Sequence, residues 1–250
     1  MGLLSNKVAI VTGAASGFGA AISRMYEKEG AKVVVADLNE DGANKIAGEL
    51  NGNAIAVKCD VSVRADIDAL VAAATKQFGT IDIVVNNAGY THRNGPMLDV
   101  DEAAFDRCFD VNVKSIYLMS LAAVPILREK KSGCIINVGS VSGIRPRPGL
   151  VWYAASKAAA NLVSKAMAVE LAPDNIRVNA ICPVMSPTGM IEDFMGMKNT
   201  EENQAKFTGG IPMGRLAKPV DIAKAALYLA SDLADFITGI ELPVDGGRAV

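Results

Sequence analysis

Histidine is nearly missing from this sequence: His92 is the only one in 250 residues. A histidine-based catalytic triad and a histidine-rich metal site are thereby close to excluded. The four cysteines, Cys59, Cys108, Cys134 and Cys182, are scattered, with no C-x-x-C pair and no metal-ligand spacing. Each lies in or beside an apolar segment, as buried free thiols in a reducing compartment do. No metal is expected. An excess of either charge is also lacking, because the net charge is −2 with 21% charged residues. Nothing suggests a polyanion binder, since nucleic-acid readers carry a basic patch. Long apolar runs are absent too. Residues 113–127 carry Lys114 and Pro125 and fall short of a bilayer. The run after Lys7 ends at Thr12-Gly13 and does not read as a signal peptide. The expectation is a soluble, cytoplasmic protein with neither a nucleic-acid nor a membrane partner.

What is present is alternation. Residues 7–12, 32–36, 54–58, 81–85, 134–138, 176–181 and 242–244 read as strands, short and rich in β-branched residues. Residues 20–29, 39–50, 64–78, 152–171 and 219–230 read as helices. Asn39 is a possible cap of one, and Pro219 opens another. Residues 102–131 are mostly helical, bent or broken near Asn112 and again at Pro125. The length suits one large α/β domain or two small ones. Alternation at this spacing predicts a doubly wound α/β fold, a parallel sheet of about seven strands with helices on both faces. No linker or repeat divides the chain, so residues 1–250 are read as a single domain. Residues 185–212, rich in Met, Gly and Pro, show no clear element and are expected to form a binding loop or lid.

Two stretches carry chemistry. Ser140 closes an apolar run, a Pro/Gly loop follows, and then a helix opens with Tyr153 and Lys157 four residues apart. That spacing puts both side chains on one helix face. An ammonium beside a phenol favours the phenolate, so Tyr153 is a candidate general base. Ser140 can donate a hydrogen bond to an oxygen whose charge changes. The second stretch is Gly13-Ala-Ala-Ser16-Gly17-Phe18-Gly19, between the first strand and the first helix. Missing side chains there let backbone N–H groups and a helix N-terminus reach a pyrophosphate. Asp37, eighteen residues past Gly19, ends the second strand, followed by Leu38. A carboxylate there accepts hydrogen bonds from ribose hydroxyls and repels a 2′-phosphate, which predicts NAD(H) over NADP(H).

With Thr12 before them, these glycines resemble the short-chain dehydrogenase/reductase family. The resemblance continues through Asp60-Val61, Asn86-Asn87-Ala88-Gly89, Asn112, Ser140, Tyr153-x-x-x-Lys157, Pro183 with Thr188, and Val244-Asp-Gly-Gly247. It implies a Rossmann-type fold, an alcohol/ketone substrate, NAD(H) and a homotetramer. It also implies roles. Asp60 and Val61 flank the adenine; Asn86 to Gly89, with Asn87 and Ala88 between them, line the cofactor. Asn112 holds a water that links Lys157 to solvent. Lys157 also holds the nicotinamide ribose, and Thr188 the carboxamide. Hydride would pass to the pro-S face. Asn112, Ser140, Tyr153 and Lys157 form the implied catalytic tetrad. One departure is Val184, where the family usually has glycine, and it puts the path of the loop toward Thr188 in question.

The substrate pocket is expected from residues 90–94, 142–150, Trp152 and 184–207. Ser140, Ser142, Arg145, Trp152 and Tyr153 are the candidate contacts. Arg145 or Arg147 either reads an anion on the substrate or faces solvent or a neighbouring subunit. His92 is read as a surface or pocket-rim residue. Small residues on the Tyr153 helix (Ala154, Ala158, Leu162) and the apolar C-terminal segment fit close subunit packing, or packing within one subunit. The activity expected is NAD-dependent interconversion of a secondary alcohol (sugar, polyol or hydroxy acid) and its ketone. The alternatives are a 3-oxoacyl thioester reductase and a nucleotide-sensing protein without catalysis.

Overall fold

The computed structural model describes residues 2–250. Its frame is a sheet of seven parallel strands: β1 (Val8–Thr12), β2 (Lys32–Asp37), β3 (Ala54–Lys58), β4 (Ile83–Asn86), β5 (Gly133–Val138), β6 (Ile176–Pro183) and β7 (Glu241–Val244). The strand order is β3-β2-β1-β4-β5-β6-β7. Between β1 and β4 the connections part in opposite directions, and this is where a doubly wound sheet opens a crevice at its carboxyl edge.

The inner strands feed both faces. Ala9, Val11, Val33, Val35 and Ile83 join a core with Ile22 and Tyr26 of α1 (Gly17–Lys28) and Ile222 and Leu229 of α9 (Pro219–Ala230). Ile10, Val34, Val84 and Ile135 point the other way. They pack on α3 (Arg64–Phe78), α5 (Ser115–Lys130) and α6 (Val151–Leu171). Two-sided burial explains why these strands read as continuous apolar runs rather than alternating ones. The short α2 (Glu40–Gly48) covers the β2–β3 edge, its first turn capped by the Asn39 side chain, which accepts from Gly42 N at 3.0 Å.

The interruption expected near Asn112 is present: α4 (Glu102–Phe109) and α5 are joined by one wide π turn, Asp110–Lys114, centred on Asn112. The structure departs from the sequence reading in three places. At Pro125, α5 runs on unbroken to Lys130. Proline costs a helix the bond to the residue four before it. Here Pro125 and Leu121 both lie on the solvent side, so water can serve the orphaned carbonyl. The merged run Glu102–Lys130 is long and apolar enough to cross a membrane by length and composition, unlike the shorter run read from sequence. Its inner face, with Met119 and Leu127, packs in the core. Third, residues 185–212 are not structureless. They hold α7 (Ile191–Met195) and α8 (Glu201–Thr208) around a small cluster of Ile191, Met195 and Ile211. Thr200 caps α8 by accepting from Asn203 N at 3.2 Å.

Candidate active site

The crevice begins at a seam of hydrogen bonds between β1 and β4. Thr12 Oγ1 accepts from the backbone N–H groups of Asn87 (3.0 Å) and Ala88 (3.1 Å). Asn87 Nδ2 donates back to Thr12 O (2.8 Å) and Gly13 O (3.0 Å). This pulls the glycine turn so close that a Cβ on Gly13 would stand 2.8 Å from Ala88 Cα, and one on Gly19 would stand 2.3 Å from Gly13 O. Gly13 also has φ +62°, a conformation other residues resist. At the start of α1, Ser16 caps nothing with its side chain and no acidic residue sits in the first turn. The helix N-terminus is therefore open to an anion.

From this turn a cleft runs along the carboxyl edge, past Ser16, Gly17 and Phe18 to Asp37, Leu38, Asp60 and Val61. Asp37 sits at the rim. One carboxylate oxygen accepts from Ala15 N and the other from Asn39 N, both at 2.9 Å, which fixes it at the end of β2 with lone pairs left over. Asp60 accepts from Ser62 N and Oγ and pairs with Arg107 at 3.3 Å. Burial would raise the Asp60 carboxyl, but the Ser62 bonds and the Arg107 guanidinium outweigh it and hold it below its usual value. Arg107 also lines the cleft. The sequence reading missed it, because an arginine on an amphipathic helix looks like any solvated charge.

At its inner end the cleft meets a second cavity, with Phe18, Asn87, Gly89, Tyr90, Thr188 and Met190 lining both. Ser140, Tyr153 and Lys157 share this second cavity. Ser140 is extended at the end of β5, its Oγ accepting from Ser142 N at 3.0 Å. Tyr153 is 5% exposed, its ring edge-on to Phe194 at 5.0 Å. Lys157 is 4% exposed and donates to Val138 O at 2.8 Å. Asn112 turns inward from the π turn. Its Oδ1 accepts from Tyr90 N at 3.0 Å, and its Nδ2 donates to Tyr90 O and Ser156 Oγ. The space above Gly89 separates it from the lysine: a Cβ there would stand 3.4 Å from Asn112 Oδ1 and 3.5 Å from Lys157 Nζ.

The electrostatics differ from the simple picture of an ammonium that acidifies a neighbouring phenol. Burial dominates both groups. It pushes Tyr153 up to about 12, the Ser140 hydroxyl working against it, with a weaker downward pull from Arg147. It brings Lys157 down to about 8. Each charged form loses water that the apolar cavity does not replace. A spacing of four residues places two side chains on one face but says nothing of how dry that face is.

Three further expectations change. Trp152 does not line the cavity; its Nε1 donates to Met97 O at 3.1 Å and its ring stands edge-on to Phe105 at 5.4 Å. Successive helix residues turn about 100°, so the neighbour of an inward Tyr153 points elsewhere. His92 is buried at 4%, not on the rim, with Nδ1 2.9 Å from Arg93 O. Val184 does not take a positive φ, and Thr188 still reaches the glycine turn, its Cγ2 3.3 Å from where a Gly17 Cβ would be. Pro183, Val184, Ser142, Arg145 and Arg147 all line the second cavity. A buried polar seam beneath it went unread: Asn86 Nδ2 donates to Asn137 Oδ1 at 2.8 Å, and Asn137 Nδ2 to Ser164 Oγ at 2.9 Å. Asparagines at consecutive strand ends were its only signal.

A family model described as enoyl-(acyl carrier protein) reductase matches residues 13–249. The chain belongs to the short-chain dehydrogenase/reductase family. It is 50% identical over 250 residues to 4-formylbenzenesulfonate dehydrogenase TsaC1/TsaC2 of Comamonas testosteroni, covering 99% of each chain. It is 39% identical to 2,5-dichloro-2,5-cyclohexadiene-1,4-diol dehydrogenase LinX of Sphingobium indicum, covering 99% of this chain and 98% of that one. A crystal structure of 3-ketoacyl-(acyl-carrier-protein) reductase from Brucella melitensis complexed with NADH superposes with a TM-score of 0.94 at 45% identity, covering 99% of this chain and all of the other. This short-chain dehydrogenase/reductase is thus an oxidoreductase, similar along its whole length to a reductase that binds NADH. The uncapped N-terminus of α1 and the glycine-rich turn beside it suit a pyrophosphate.

The buried lysine carries a stability consequence. Because its folded value is about 8 against about 10.4 in an unfolded chain, the folded protein binds fewer protons between these values. Stability therefore rises with pH across that window. With no nucleotide added, Lys157→Met should unfold later than wild type at pH 7, by up to about 3 kcal/mol. The gain should shrink as pH climbs from about 8 toward 10.4. Denaturant melts at several pH values check this.

Proposed function

We propose that this enzyme interconverts a secondary alcohol and its ketone, with Tyr153 moving the hydroxyl proton. The observation that carries the reading is the meeting of Ser140, Tyr153 and Lys157 in one cavity that opens into the nucleotide cleft. Bound NAD(H) supplies or accepts the hydride. Tyr153 gives its proton to the carbonyl oxygen in reduction and takes it back in oxidation. The Ser140 hydroxyl donates to the same oxygen, more strongly as negative charge builds, which lowers the barrier selectively. Lys157 holds the nicotinamide ribose and offers its protons to the Tyr153 side. A water above Gly89, held by Asn112, reloads Lys157 from solvent. Thr188 holds the carboxamide, while Asp60 and Val61 flank the adenine.

The lining of Met185, Met190, Phe194 and Ile211 suits an apolar carbinol better than a polyol. Residues 185–212, which supply that lining, serve as the substrate-binding segment. Reduction of a 3-oxoacyl thioester is the second reading, favoured by the likeness to the Brucella melitensis reductase. Asp37 weighs against an NADPH-driven version of it. We also propose a cytoplasmic homotetramer, as the family resemblance implies; the exposed apolar residues Leu162 (66%), Val169 (80%) and Phe236 (101%) support contact between subunits without fixing their number. Ala154 and Ala158 instead pack within the subunit, Ala158 against Gly143.

Tyr153→Phe should lower kcat by roughly 10²- to 10⁴-fold, the usual worth of a positioned acid–base group, with NADH binding retained. Absorbance at the nicotinamide band against a panel of ketones and alcohols measures it; near wild-type turnover in this variant would sink the reading. Asp37→Asn should raise the NADPH-to-NADH ratio of kcat/KM by on the order of tenfold or more, through relief of like-charge repulsion.

A further inference from the structure

Resting on the reading of the second cavity as the substrate site, its far wall carries more information. Arg145, Arg147 and Arg248 all line it. Arg145 is exposed and donates from Nη1 to Arg248 O (3.0 Å) and Val250 O (2.6 Å) at the chain end. Arg147 is different. It is half-buried, and among the described residues no Asp or Glu oxygen lies within 4.0 Å of it. Its guanidinium lies over the Phe207 ring at 4.8 Å and donates once, to Phe194 O at 2.8 Å. A guanidinium has five N–H donors, so most remain unspent. The Phe194 ring in turn touches Tyr153. One wall therefore runs from the reacting phenol across two aromatic rings to a cation.

A cation in apolar surroundings is costly unless paired. Burial and the nearby Arg248 guanidinium both push Arg147 below its ordinary range. Either charge would be relieved by an anion entering between them. The planar fork of arginine matches the oxygens of a carboxylate or sulfonate.

We propose that Arg147, assisted by Arg248, is the specificity-determining residue of the cavity: it reads a carboxylate or sulfonate at one end of a substrate whose apolar, planar body lies along Phe194 and Phe207 and whose carbonyl or carbinol carbon sits at Tyr153. The competing role is a latch, with Arg147 merely tying α7 and α8 to the loop before α6.

The two roles separate in a matched series of 4-acetylbenzoate, 4-acetylbenzenesulfonate and the neutral 4-acetylbenzamide, reduced by NADH. Wild type should prefer the anions over the amide in kcat/KM by on the order of 10- to 100-fold, the worth of a charge-assisted hydrogen bond in a dry site. Arg147→Met should erase that preference, chiefly through KM, and Arg147→Lys should keep part of it. A fall of equal size for anions and amide in Arg147→Met assigns the latch and overturns the proposal. Calorimetry of 4-acetylbenzoate and 4-acetylbenzamide on the NADH-loaded protein reads the same preference without turnover. If no ketone is reduced but the benzoate still binds more tightly, and Arg147→Met abolishes the difference, the proposal stands and only the proposed reaction fails. No preference for the benzoate overturns the proposal, whether or not turnover occurs.

Discussion

Thr12 and Asn87 hold together the two strands whose connections part. Four hydrogen bonds between these residues and their neighbours keep the ends of β1 and β4 in register. The rest of the site follows from that closure. The glycine turn is pressed onto Ala88 because the seam is tight, so no side chain is tolerated at Gly13 or Gly19. The open end of α1 then faces the cleft, and Asp37 braces the turn from the side through Ala15 N. Deeper in, the Asn86–Asn137–Ser164 chain carries the same closure toward β5 and α6, which hold Ser140, Tyr153 and Lys157. Such a chain is tolerable in a core because every member has a partner.

Burial sets the character of the reacting groups. Tyr153 is held protonated and Lys157 is weakened as a base-bound proton store, both by loss of water. A dry cavity amplifies any charge brought into it. A positive charge brought near Tyr153, such as an oxidised nicotinamide would supply, would favour the phenolate only while it is present. An anion brought to Arg147 would work in the opposite sense on the far wall. At neutral pH the site therefore holds a neutral phenol beside a lysine that keeps its charge but gives up its proton more readily than usual, rather than a phenolate–ammonium ion pair.

Much of this was legible in the sequence because short-range rules govern it. The strand and helix alternation, the glycine turn, Asp37 at the end of β2, and the shared face of Tyr153 and Lys157 all follow from local spacing. The misreadings lie where tertiary context decides. Pro125 is tolerated because its carbonyl partner faces water. Trp152 turns away because Tyr153 turns in. His92 sinks beside Cys108 where a surface or pocket-rim residue was expected. The helices of residues 185–212 are short, and α7 has no side-chain cap to announce it. The solvation of a helix face, which governs Tyr153 and Lys157, leaves no mark in a spacing of four.

Burial holds Tyr153 protonated in the empty site, and a positive charge beside it should release that proton. Ultraviolet difference titration of tyrosinate, wild type minus Tyr153→Phe, tests this without any substrate. With no nucleotide, Tyr153 should stay protonated beyond pH 10, in keeping with a value of about 12. With saturating NAD+ its ionisation should move down by about two units or more, the size of shift that a nearby positive charge produces. Ionisation in the ordinary phenol range or below without nucleotide, or a titration that NAD+ leaves in place, would contradict the account.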